Sequence, residues 1–144
     1  MLCACYEGFI DSDGFAKHVV ERLKKSRGSA ACVRDEIAEG GVFVAVVEVR
    51  IAGVVSVHGN EIARLYVAPE QQRRGVGTLL FNYAETRIRA NGFTYLTLGA
   101  VGHSMIPFYE KLGMRVVGEK KNVNGPCAGI MTTIMAKQLT GDEC

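Results

Sequence analysis

The run Gln72-Arg73-Arg74-Gly75-Val76-Gly77-Thr78 combines residue types that can hold an anion. A β-type stretch, 61–67, precedes it, Pro69 breaks the strand pattern, and helical periodicity opens after the glycines. The first amides of a helix have no intrahelical acceptor, and the helix dipole favours negative charge beside them. Gly75 and Gly77 carry no Cβ, so a phosphate can approach the main chain closely. Arg73 and Arg74 add positive charge beside it. A nucleoside-triphosphate loop needs Gly-x-x-x-x-Gly-Lys-Ser/Thr, and no such run occurs. The dinucleotide fingerprint also fails: Leu80 stands where its third glycine belongs, and the preceding loop is too long. The plain alternative is a solvated loop joining a strand to a helix.

The 144 residues suffice for one domain with a real core, spanning 1–144, and nearly half of them are apolar. A net charge of +2 is too small to argue for nucleic acid or a membrane surface. The five cysteines are odd in number, form no Cys-x-x-Cys pair, and join no histidine at zinc-ligand spacing, so no metal site is expected. With neither a signal peptide nor a membrane-span pattern, reduced thiols in a cytoplasmic protein are the simplest reading.

The elements that must position the loop follow from periodicity. Residues 2–10 alternate loosely and could form a first strand. Ser12 reads as a helix cap, with Phe15, Val19 and Leu23 making an apolar stripe down to Gly28. Ser29 caps a second helix through Ala38, stopped by Gly40-Gly41. Stretches 42–49 and 51–57 are apolar and β-branched and read as strands buried on two faces. With 61–67 they make an antiparallel meander on short turns. A helix follows the loop, its stripe drawn by Val76, Leu79, Leu80, Tyr83, Ala84 and Ile88, with Glu85 and Arg89 paired on the wet side. Stretch 93–101 is a strand expected to lie parallel to 61–67 through a right-handed crossover. Met105, Phe108, Tyr109 and Leu112 share one helical face, with Ser104 as cap, Pro107 in the first turn and Gly113 as stop. Stretches 115–121 and 129–137 close the pattern as strands.

Gln72-Arg73-Arg74-Gly75-Val76-Gly77 after Leu65-Tyr66-Val67-Ala68-Pro69 resembles the Gln/Arg-x-x-Gly-x-Gly/Ala loop of the GNAT superfamily, the acyl-CoA-dependent N-acyltransferases. Phe108-Tyr109-Glu110-Lys111-Leu112-Gly113-Met114 is similar to that family's Phe-Tyr-x-x-x-Gly-Phe helix, with Met114 where Phe is usual. The ending Met135-Ala136-Lys137-Gln138-Leu139 resembles its common Met-x-Lys-x-Leu strand. The resemblance implies an α/β (α+β) fold: a mixed, mostly antiparallel sheet of about seven strands flanked by four helices. Two parallel strands, 61–67 and 94–101, would splay to form a cofactor cleft.

The resemblance also implies roles. The main chain at Leu65, Tyr66 and Val67 would pair with the pantetheine arm of acetyl-CoA and polarise its thioester carbonyl. Gln72, Arg73, Arg74, Gly75, Val76, Gly77 and Thr78 would clasp the pyrophosphate. Many relatives carry an asparagine ahead of the second motif; here Gly102 and His103 stand there. Tyr109 would give the leaving thiolate its proton. Glu61 could take the amine proton through water, with His58 close by in sequence. A core aromatic is the bland account of Tyr109; an exposed turn-flanking residue is the bland account of Glu61 and His58. The implied activity is direct transfer of an acetyl group from acetyl-CoA to a primary amine, small-molecule or peptide, in a ternary complex. A homodimer is compatible with it; nucleic acid and membrane are not expected partners. A non-catalytic acyl-CoA-binding or sensing module of the same fold is the alternative.

Overall fold

β-branched and apolar runs separated by short polar turns pair where they meet first, with their sequence neighbours. In the computed structural model, which describes residues 17–26, 29–123 and 128–139, this gives a six-stranded mixed sheet. Its elements are α1 (Lys17–Ser26), α2 (Ala30–Glu39), β1 (Val42–Val47), β2 (Arg50–His58), β3 (Glu61–Val67), a 3-10 turn (Pro69–Gln71), α3 (Val76–Ala90), β4 (Tyr95–Val101), α4 (Ile106–Lys111), β5 (Arg115–Lys121) and β6 (Met131–Gln138). The strand order is β1-β2-β3-β4-β6-β5, and every pair is antiparallel except β3–β4. The expected class and the four helices are found, with six strands rather than about seven among the described residues. The first strand expected at 2–10 and the Ser12 cap lie outside those residues.

Most of the core lies between the sheet and α3. Val76, Leu80, Phe81, Ala84 and Ile88 of α3 are buried against Val55, Ile62, Leu96, Leu98 and Met135. The apolar stripe is thus rotated from the expected one. Leu79 and Tyr83 are exposed, while Phe81 is fully enclosed. Tyr83 instead stacks on Phe43 of β1, with ring centroids 4.9 Å apart. Glu85 and Arg89 do pair, at 3.1 Å, but Glu85 also accepts from Lys137 of β6 at 2.7 Å and is largely covered. A smaller cluster on the other face joins Val20 and Leu23 of α1 to Ile130 and Tyr66.

β1 departs from expectation. It is covered on one face only, with Val44 and Val46 about half exposed on the other. Its turn into β2 is made by Glu48 and Val49, both at positive φ (49° and 63°). That backbone is what a two-residue hairpin demands, and it normally selects Asn-Gly. A β-branched residue there is strained. The double substitution Glu48→Asn with Val49→Gly should therefore raise the unfolding free energy by about 1 kcal/mol, read from urea midpoints. An unchanged or lowered midpoint would contradict this account of the turn.

Candidate functional site

β3 and β4 are paired only through Glu61 with Thr97 and Ile62 with Leu98. Beyond Ile62 the ladder stops, although both strands run on to Val67 and Val101. The cause is local. Ser56 of β2 faces Arg64, and the next residue, Val57, faces Ile62, so Ala63 is an extra residue in β3. Such a bulge bends its strand and ends pairing. The predicted splay is present, and it opens at the bulge.

The backbone direction after the bulge follows from one hydrogen bond. The Ala68 amide donates to Ala52 of β2 at 2.8 Å. Strand amides alternate sides, so those of Leu65 and Val67 point the other way, toward β4. The side chains of Leu65 and Val67 pack on the α3 face, and Tyr66 packs on the α1 face. Gln72 folds back, and its Nε2 donates to the Val67 carbonyl at 3.1 Å. It therefore clasps the strand end with its side chain.

The loop then turns twice through left-handed backbone, at Arg73 (φ 63°) and Gly75 (φ 84°). Gly75 is the N-cap of α3 and offers no side-chain cap; the first amide to find a helical acceptor is that of Leu79, on the Gly75 carbonyl at 3.0 Å. Among the described residues, no side chain plugs the amides of Val76, Gly77 and Thr78. Arg73 and Arg74 are exposed beside them. Amides without helical acceptors, a dipole end and two cations are a combination that suits an anion. A diphosphate fits its chemistry.

The two sequence motifs meet here. A Cβ on Gly77 would lie 3.2 Å from the Phe108 ring, so the start of α3 packs directly on α4. Phe108 contacts Tyr109 edge-on at 5.2 Å between centroids. α4 begins after Met105 rather than Ser104, with Pro107 in its first turn, and Gly113 (φ 95°) ends it as expected. Tyr109 is 7% exposed and reaches Phe81 of α3 at 6.3 Å. Among the described residues only Ser56 Oγ and Gln71 Oε1 are both enclosed and partnerless. No hydrogen bond joins the Tyr109 hydroxyl to a described residue.

Glu61 and His58 lie directly opposite each other across β2 and β3, and both are exposed. His58 Nδ1 is 3.5 Å from Glu39 Oε2. Glu61 thus sits at the closed end of the cleft, on the α2 face. Sequence reasoning overlooked Arg64. It is buried in β3, and its guanidinium meets the Glu36 carboxylate at 3.0 Å (Nε–Oε1) and 2.5 Å (Nη2–Oε2). The available signal was an arginine inside an otherwise apolar strand, which must find a carboxylate or leave the core.

The strand cleft, the uncapped helix start and the aromatic helix packed against it thus lie together in the fold. The acetyltransferase (GNAT) domain family matches residues 9–139, and the chain belongs to that family. Among solved structures, the GCN5-related N-acetyltransferase from Rhodopseudomonas palustris superposes with a TM-score of 0.85 at 23% identity, covering 95% of this chain and 84% of that one. The PaiA N-acetyltransferase from Thermoplasma acidophilum, solved in complex with coenzyme A, gives 0.72 at 20% identity over 95% and 90%. An aminoglycoside 6'-N-acetyltransferase complexed with coenzyme A gives 0.67 at 20% over 90% and 97%. No curated protein matches the chain by sequence. No described helix is long and apolar enough to cross a membrane.

Burial raises the Tyr109 phenol well above its usual value by desolvating the phenolate. Its folded pKa exceeds the unfolded one, so the native state holds the extra proton at high pH. The associated stability is full below about pH 10 and is lost as pH rises above it, by at most about 1.4 kcal/mol per unit. Urea melts between pH 9 and 11 should show this fall, and Tyr109→Phe should flatten it. An equal slope in the variant would mean that Tyr109 is hydrated in the native state.

Proposed function

We propose that the protein transfers an acetyl group from acetyl-CoA to a primary amine, of a small molecule or a peptide, by direct attack in a ternary complex. The observation that carries this reading is the β3–β4 ladder, which stops at Ile62 and Leu98 in the same structure whose α3 start is left uncapped. The residues present fit an acyl-CoA. Val76, Gly77 and Thr78 supply amides for its diphosphate, and Arg73 and Arg74 supply charge. The Leu65 amide, aimed toward β4, can donate to a thioester carbonyl and polarise it. The bound donor supplies an activated acyl group. PaiA and the aminoglycoside enzyme, both solved with coenzyme A, support a donor of this kind.

In the transfer, the amine nitrogen forms a bond to the carbonyl carbon, and the carbon–sulfur bond breaks. An alkyl ammonium has a pKa of about 10, so the site must select or make the neutral amine. Glu61, exposed at the closed end of the cleft, takes that proton through water and passes it to solvent. Tyr109 would serve the leaving sulfur. Its raised pKa keeps it protonated at every physiological pH. Full transfer to a thiolate of pKa about 8.5 would be uphill in an empty site. Tyr109 would therefore donate a hydrogen bond as charge builds on sulfur and keep its own proton, and the departing thiolate would take its proton from water.

One observation favours the second reading, a non-catalytic acyl-CoA-binding module. Tyr109 is packed between Phe81 and Phe108 as a core residue would be. Thiol release from acetyl-CoA, measured across a panel of primary amines, separates the two. The transferase reading expects amine-dependent release. It also expects Tyr109→Phe to lower kcat by about tenfold to a thousandfold with acetyl-CoA affinity unchanged. Binding without release for every amine would support the module.

A further inference from the structure

α2 is docked in an unusual way. A helix lying on a sheet normally turns its apolar stripe inward. In α2 no residue is fully buried, and its one large aliphatic side chain near the C-terminus, Ile37, is 56% exposed. Val33 is half-buried, and the polar contacts to the sheet come at i, i+4 and i+7, from Cys32, Glu36 and Glu39. Glu36 forks onto Arg64 of β3, and Glu39 reaches His58 of β2. Cys32 Sγ lies 3.8 Å from the Glu36 carboxylate and 3.9 Å from the Arg64 guanidinium. α2 thus crosses the β2–β3 hairpin from Arg64 to His58, over the face that carries Glu61.

Arg64 is the first residue after the bulge. Its side chain is 2% exposed, and that of Glu36 is 23% exposed. A guanidinium this enclosed holds its partner with geometric specificity, because the planar fork accepts a carboxylate in one arrangement. β3 is already fixed by its ladder to β2. The element that the pair positions is therefore the less anchored one, α2.

The cleft is a slot through the sheet. The anion loop occupies the end near α3, on one face. An amine that gives its proton to Glu61 would approach the carbonyl from the opposite face, where Glu61 lies beside His58 and the Glu39 end of α2. We infer that Arg64 and Glu36 form a positioning pair, which stations α2 as the wall guiding the amine acceptor to the carbonyl at the bulge. The inference rests on the transferase reading above. It concerns where the acceptor is aligned, and neither residue touches the reacting atoms.

Glu36→Gln keeps the shape of the side chain and removes the charge that orients the fork. Breaking the pair should loosen α2, so its amides at 33–39 should exchange hydrogen faster while those of β2 and β3 do not. The KM for the amine should rise by about tenfold, with the KM for acetyl-CoA within about twofold. Arg64→Lys, which keeps the charge but loses the fork, should act in the same direction and serves if Glu36→Gln fails to fold. Ile37→Ala, on the outer face, should leave both constants unchanged. A fall in melting temperature with the amine KM unmoved would make the pair merely structural and overturn the inference. So would an equal rise in both KM values. Wild-type protein that releases no thiol with any amine would instead overturn the parent reading, and this inference with it.

Discussion

A parallel pair in the middle of a sheet that stops after two residue pairs is the constraint on which the rest depends. Parallel ladders normally continue, because each backbone donor and acceptor left without a partner costs free energy. Here one extra residue, Ala63, turns β3 away from β4 and opens a gap lined with main chain. The neighbours keep the sheet intact around it. β2 holds β3 along Gly53 to His58, and β6 holds β4 along its whole length. The gap is therefore a rigid slot, suited to an extended ligand arm that carries its own amides. Every other part of the site is arranged along this slot.

The two faces of the slot differ in how they are built. On one, α3 is packed by apolar burial, and its first turn is left uncapped by a glycine in left-handed conformation. On the other, α2 is held through charged side chains. Apolar packing gives the α3 face a fixed shape. On the α2 face the enclosed Arg64–Glu36 pair carries a desolvation cost, offset by its two-point geometry. Phe108, wedged against Gly77, links the anion loop to Tyr109 across van der Waals contact.

Much of this was legible in the residues. β3 and β5 begin and end where periodicity placed them, because Gly59-Asn60 and Gly113 are strong punctuation. The Ser29 cap accepts from the Cys32 amide at 3.2 Å, and Gly40 closes α2, as their residue types implied. The loop at 72–78 was recognisable because glycine spacing and charge coincide with a strand-to-helix change. What was illegible depends on partners distant in sequence. The α3 stripe rotated because Phe81 is enclosed beside Tyr109 of α4 and Lys137 of β6, neither of which a helical period can report. The bulge carries no signature, since Ala63 is unremarkable in a strand. The Arg64–Glu36 pair spans 28 positions, and only the odd placement of an arginine among apolar residues hinted at it.

The central claim is that the gap beyond Ile62 and Leu98, together with the uncapped start of α3, forms one continuous donor site. A crystal structure of the protein grown with coenzyme A tests it most directly. The account predicts the diphosphate on the amides of Val76, Gly77 and Thr78 and the pantetheine arm lying between β3 and β4, with its sulfur near Tyr109. A structure in which the two strands are zipped past Ile62, or in which the arm runs outside the sheet, would contradict it.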